Sequence, residues 1–232
     1  MAVAIITGAS RGLGRALAEA LAARGWDLVL DARSGGALKE VAAGLAERGT
    51  RVEALAGDVT DAGHRAELVA AAGRLGGADL LVNNAGILGA EPLVPLAEQP
   101  LEGFRAALEA NLVAPLGLLQ EALPQLRRSA AGAVVNVSSD AAVVAYRTWG
   151  AYGATKAGVD LLSGVLAVEE PGLRVWWVDP GGMRTRMLAA AEPGEDLTGT
   201  PEPEKVAPAF LRLLDERPAS GRYTASALLE ER

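Results

Sequence analysis

Six short, almost unbroken apolar runs recur along this chain: Val3-Ile6, Leu28-Leu30, Val52-Leu55, Leu80-Val82, Ala133-Val137 and Val175-Val178. None alternates apolar with polar residues, so each reads as a strand covered on both faces, as strands of a parallel sheet are. Between them lie longer segments of helical period rich in Ala, Leu, Glu and Arg, approximately Leu13-Arg24, Ala37-Arg48, His64-Arg74, Leu101-Arg127 and Ala151-Ala167. A further helix over Pro203-Glu216 and a last strand near Arg222-Thr224 follow. This alternation predicts an α/β, doubly wound, mostly parallel sheet with helices on each face. With 232 residues, 50% of them hydrophobic, the expectation is a single domain over 1-232 with one large core.

Composition removes several kinds of chemistry. There is no cysteine, which excludes disulfides, thiolate metal sites and cysteine nucleophiles and fits a reducing compartment. The one histidine, His64, has no metal-binding cluster beside it and reads as an ordinary surface residue at a helix start. A net charge of −7, with no basic run longer than Arg127-Arg128, argues against nucleic acid and against anionic membranes. No apolar stretch approaches the ~18 residues of a membrane span. Since Met1-Ala2-Val3 enters a strand pattern at once, no signal peptide is expected. The expected setting is cytoplasmic and the expected partner is a small molecule.

The first strand runs into Thr7-Gly8-Ala9-Ser10-Arg11-Gly12-Leu13-Gly14, which opens the first helix. Glycines at such a junction let backbone N–H groups approach a pyrophosphate, and the helix N-terminus favours its charge. Gly8, Ser10, Arg11, Gly12, Leu13 and Gly14 are therefore candidates for a dinucleotide site. Two readings of the second strand's end compete: Asp31 suits the ribose diol of NAD(H), whereas Arg33, with Arg11, suits the 2′-phosphate of NADP(H). Two guanidiniums favour NADP(H). Asp58 and Val59, after the third strand, are placed to meet the adenine, and Asn83-Asn84-Ala85-Gly86 follows the fourth.

A reactive pair stands in the fifth helix. Lys156 follows Tyr152 by four residues, so both side chains project from one helical face. An adjacent ammonium stabilises phenolate and is expected to lower the phenol's pKa from its usual ~10. Tyr146 is the rival phenol, but Gly150 stands where its lysine would be needed. Ser139 lies thirteen residues before Tyr152, and Asn111 further back. Pro115 has no N–H to bond the carbonyl of Asn111, which predicts a kink there and a water on the freed carbonyl, beside Lys156. A short substrate loop is expected around 183-204; within it Pro and Gly concentrate between Glu192 and Pro203, where Glu192-Pro193-Gly194-Glu195-Asp196 lacks periodicity and reads either as a mobile lid or as plain surface loop.

These motifs, in this order, resemble those of the short-chain dehydrogenase/reductases over nearly the whole chain. Thr7-Gly8-x3-Gly12-x-Gly14, Asn83-Asn84-Ala85-Gly86, Asn111, Ser139, Tyr152-x3-Lys156 and Pro180-Gly181-x3-Thr185 all correspond to family motifs. The resemblance implies a Rossmann-like, seven-stranded sheet and hydride transfer from a nicotinamide to a carbonyl. It implies that Ser139 polarises the substrate oxygen, Tyr152 delivers the proton, Lys156 binds the nicotinamide ribose and tunes Tyr152, and Asn111 supports a relay water. Asn84, Ala85, Gly86, Pro180, Gly181 and Thr185 join the coenzyme site on the same ground. The family's acidic NAD-selecting position falls on Ala32, and Arg33 falls where NADP enzymes carry a cation. Ser138 competes with Ser139, and the spacing to Tyr152 selects Ser139.

Within the family, Leu166-Ala167-Val168-Glu169-Glu170-Pro171 through Val175, and then Pro180-Gly181 and Thr185-Arg186-Met187, look most like sepiapterin and benzil reductases. Ala225 replaces the acidic residue that anchors the pterin there, so an uncharged ketone or vicinal diketone is expected, with Trp149, Met183 and Met187 as pocket walls. The expected function is thus NADPH-dependent carbonyl reduction. The alternatives are an NAD-dependent alcohol dehydrogenase of the same family and a dinucleotide-binding sensor or scaffold without chemistry. Ala106, Ala107, Ala110 and Ala114, with Ala154, Ala157 and Gly158, offer small-residue faces for a twin subunit, as a homodimer or homotetramer.

Overall fold

The computed structural model describes residues 1–230. Seven strands, β1 (Val3–Ile6), β2 (Asp27–Ala32), β3 (Val52–Ala56), β4 (Leu80–Asn83), β5 (Ala133–Val137), β6 (Arg174–Asp179) and β7 (Gly221–Thr224), form one sheet in the order β3-β2-β1-β4-β5-β6-β7. Every neighbouring pair is parallel, so the expected doubly wound sheet is parallel throughout. The order reverses direction between β1 and β4, and there a crevice opens beyond the strands' C-terminal ends.

Period-two alternation sorts the buried side chains into two layers. Ala4, Ile6, Leu28 and Leu30 face one layer, built with α1 (Gly12–Ala22), α2 (Gly35–Ala46), α8 (Pro203–Glu216) and α9 (Ala225–Glu230). Val3, Ile5 and Val29 face the other, built with α3 (Ala62–Leu75), α5 (Ala114–Leu126) and α6 (Gly150–Glu169). The strand signal is weakest at the rims for a physical reason. Edge strand β3 is covered on one flank only and stays partly exposed, and all four residues of β7 are half-buried.

Two expectations need correction, and one helix was not foreseen. The helix expected over Leu101-Arg127 is two helices, α4 (Leu101–Leu108) and α5, joined by a π-helical turn over Glu109–Val113 in which the Ala114 N–H bonds the Glu109 carbonyl. Pro115 begins the ordinary ladder immediately after it. The helix not foreseen is α7 (Arg186–Ala191), which precedes the Glu192-Pro203 stretch and is capped by Thr185, whose Oγ1 accepts from the Leu188 N–H at 3.2 Å. His64 is not a surface residue. Only 8% exposed, it lies on the inward face of α3 and meets Asp31 of β2. Among the described residues no helix is long and apolar enough to cross a membrane, and no group of three metal-ligating side chains is present.

Candidate active site

A cleft of about 1570 Å³ occupies the crevice at the switch point. Its floor begins where β1 ends. Gly8 (φ +68°) and Gly12 (φ +54°) hold left-handed backbone that side chains rarely adopt, and they wrap the turn around the N-terminus of α1. No side chain caps that terminus. Its free N–H groups face a cleft that Ser10, Arg11, Gly12 and Leu13 line, an arrangement that fits a pyrophosphate. Gly14 does not line the cleft. A Cβ there would strike the Gly8 carbonyl and the Asn84 amide, so its role is close packing.

The turn after β4 is tied to the first one. Thr7 Oγ1 accepts from the Asn84 and Ala85 N–H groups at 3.0 Å each, and Asn84 Nδ2 donates to the Thr7 carbonyl at 2.8 Å. Ala85 and Gly86 complete that wall. Beyond the ends of β2 and β3 the cleft is lined by Arg33, Asp58 and Val59, of which Arg33 and Asp58 are exposed. The Thr60 N–H at 2.9 Å, its hydroxyl, and Arg33 all hold the Asp58 carboxyl below its usual range. Asp31 lies on the same wall. It is 1% exposed, and its Oδ1 is already engaged 2.7 Å from His64 Nε2.

At the other end Ser139, Tyr152 and Lys156 converge on the cleft, beside Pro180, Gly181 and Thr185. Ser139 Oγ donates to Asp140 Oδ1 at 3.1 Å and accepts from the Ala141 N–H at 3.2 Å. Ser138 is turned away, buried, with its hydroxyl on the carboxylate of Asp160. Lys156 Nζ lies 5.6 Å from the centre of the Tyr152 ring and donates to the Val137 carbonyl at 2.7 Å. Both side chains are buried, and the consequence runs against the expectation for the phenol. Burial pushes Tyr152 up, with Asp179 and then Asp140 adding to it, while burial pushes Lys156 down to about 8 against the pull of Asp160. In the free protein, desolvation and the two carboxylates set the direction for the phenol.

Asn111 is brought near but does not face the cleft. Its carboxamide is 1% exposed and fully used: Nδ2 donates to the Ile87 carbonyl at 2.8 Å and to Thr155 Oγ1 at 3.0 Å, while Oδ1 accepts from the Ile87 N–H at 2.8 Å. It thus ties the turn after β4 to α6. The expected distortion at Pro115 is present as the π turn. The cavity beside it, about 10 Å³ and large enough for one water, is lined by Thr7, Asn83 and Pro115 and not by Lys156.

Two partners of Ser139 had no sequence signal. Arg222 of β7 donates Nη2 to the Ser139 carbonyl at 2.9 Å and Nε to Asp160 Oδ2 at 3.0 Å. Asp140 accepts from Tyr146 Oη at 2.9 Å, which places that rival phenol on the rim. Trp149 meets Tyr152 edge-on at 5.6 Å, and Met183 and Met187 line the opposite wall. An oxygen reaching both Ser139 and Tyr152 would find two hydroxyl donors and a cation behind them, a set able to protonate a nascent alkoxide.

Known proteins agree with this geometry. Residues 2–196 match the short chain dehydrogenase family. The chain is 38% identical over 190 residues to cis-4-hydroxycyclohexanecarboxylate dehydrogenase of Sinomonas cyclohexanicum, covering 81% of this chain and 75% of that protein. It is 33% identical over 222 residues to the Escherichia coli K12 oxidoreductase YciK, covering 92% and 86%. A short chain dehydrogenase of Escherichia coli CFT073, solved in complex with NADPH, superposes with a TM-score of 0.90 at 30% identity over 97% of this chain and 96% of that one. A sheet wound outward from one switch point, a glycine turn at its crevice and these matches along most of the chain have one common reading: the protein belongs to the short chain dehydrogenase family.

Proposed function

We propose that this chain is an NADP(H)-dependent carbonyl reductase acting on a small uncharged ketone or vicinal diketone. The observation that carries the reading is the convergence of Ser139, Tyr152 and Lys156 at one end of a cleft whose other end is the uncapped helix N-terminus with Arg11 and Arg33. Bound NADPH supplies the hydride. The residues supply the rest. The Ser139 hydroxyl turns from Asp140 to the substrate oxygen, Tyr152 gives that oxygen its phenolic proton, and Lys156 stabilises the phenolate left behind. Asn111 positions the wall that faces them. NADPH in the solved Escherichia coli relative supports the coenzyme. The likeness of residues 166–187 to sepiapterin and benzil reductases, with Ala225 in place of an acid, supports a diketone over a pterin. Reduction of ketones and diketones, and oxidation of alcohols, should be screened by absorbance at the nicotinamide band with each coenzyme. Consumption of NADPH by ketones or diketones is expected; turnover only with alcohols and NAD would overturn the direction and the coenzyme together.

We also place the protein in the cytoplasm, as its lack of cysteine suits, and infer that it assembles through α6. Ala154, Ala157, Leu161, Val165 and Val168 form an exposed stripe along that helix, with Leu161 71% and Val168 80% accessible. Val113 and Leu116 continue it on the neighbouring segment. The small residues divide: Ala107 and Ala114 are buried, and Gly158 packs against Leu112 of its own chain, so these serve the fold. Light scattering should show a homodimer or homotetramer, and a Leu161→Glu/Val165→Glu variant should shift it to monomer; a monomeric wild type would end this reading.

A further inference from the structure

Two buried titratable groups beside the cleft, Asp31 and His64, have no part in the chemistry just described; Asp31 belongs to the wall where the adenosine end would lie, and His64 stands behind it. The carboxylate of Asp31 is shared. Oδ1 meets His64 Nε2 at 2.7 Å, and Oδ2 accepts from the Gly8 N–H at 3.4 Å. The main chain of the same residue accepts from the Ala9 N–H at 2.8 Å. His64 is itself fixed: its backbone N–H donates to Asp61 Oδ1 at 2.7 Å at the start of α3, and its imidazole fills the space where a Cβ at residue 57 would stand, so that position is glycine. One buried pair therefore ties three segments that build the coenzyme wall: residues 8–9 of the glycine turn, 31–33 at the end of β2, and 57–59 after β3.

We propose that Asp31 and His64 are positioning residues for the coenzyme, holding the glycine turn and Arg33 in binding geometry before any ligand arrives. A carboxylate in a place this dry must be matched by donors, so the loop that supplies the Gly8 N–H is held to it. The same pairing keeps the negative charge of Asp31 turned inward, away from the 2′-phosphate that Arg33 would receive. Asp58 and Arg33, the other charged groups on this wall, are both exposed to the cleft, which leaves His64 as the donor that can match Asp31 from within.

The inference rests on the coenzyme reading above, and its test separates the two. Three variants are compared with wild type: His64→Gln, which keeps an N–H donor; His64→Leu, which strands the carboxylate; and Asp31→Val/His64→Leu, which removes both polar groups and so leaves no unpaired charge in the core. NADPH affinity is read by nucleotide fluorescence, and amide exchange at Gly8 and Ala9 is read in the free protein. His64→Gln should bind NADPH within about threefold of wild type, whereas the double variant, folded with an unchanged circular dichroism spectrum, should bind about tenfold or more weakly. Its Gly8 amide should exchange faster, and kcat at saturating NADPH should stay within about twofold. If His64→Leu does not fold, the double variant decides. Wild-type affinity and wild-type exchange in that variant would reduce the pair to simple packing. If the wild-type protein itself binds no NADPH, the coenzyme reading falls, while the exchange at Gly8 still reports whether the pair holds the turn.

Discussion

Tyr152→Phe should lower carbonyl-reducing turnover by about 10²- to 10⁴-fold, the range associated with losing a positioned acid, while NADPH affinity stays close to wild type. The ring stays, so its packing with Trp149 and under Lys156 stays too. Only the transferable proton goes. The pH profile gives the same assignment a second readout. Lys156 is pushed down to about 8 by burial, so its ammonium is present below that pH and lost above it. A phenolate formed on proton transfer needs that charge, and reductive kcat/KM should therefore fall as pH rises through about 8. In Lys156→Met this limb should vanish, with activity low at every pH. Turnover of Tyr152→Phe near that of wild type would remove Tyr152 from the chemistry.

Arg33→Ala should weaken NADPH by about 10- to 100-fold and leave NADH within about threefold, because hydrogen bonds to a charged group are each worth about 1.5–3 kcal/mol. Arg33 is exposed at the cleft, while the rival residue Asp31 is buried against His64, so the wall offers the 2′ position a cation and no free carboxylate from β2. Adding Arg11→Ala should deepen the loss for NADPH alone. The ratio of the two coenzymes' KM values measures this directly. An equal loss for both would mean that Arg33 merely shapes the loop.

Much of this was legible in the sequence, and what was hidden shares one cause. Strands β1, β4 and β5 are covered on both faces, so their nearly unbroken apolar runs marked them plainly. The glycine turn was legible because a strand, three glycines and a helix start stand in one short stretch, and Tyr152 and Lys156 because one helical turn separates them. The hidden features depend on contacts between distant residues. His64 looked like a surface residue until α3 laid it on Asp31, 33 positions away, and Arg222 reaches Ser139 across 83. The direction of the phenol's pKa needed burial and the two nearby carboxylates, neither of which spacing reveals. Helix α7 escaped because six residues are too few to show a period, although Thr185 ahead of Arg186-Met187-Leu188 was a capping signal.

The clasp of Arg222 on the Ser139 carbonyl makes the timing of synthesis matter. On a ribosome, β6 emerges as an open sheet edge with its backbone groups unmet, and the serine loop beside it has no guanidinium to hold it. The serine loop gains this clasp only when β7 has cleared the exit tunnel and zipped onto β6, after the residues that line the crevice have all been made.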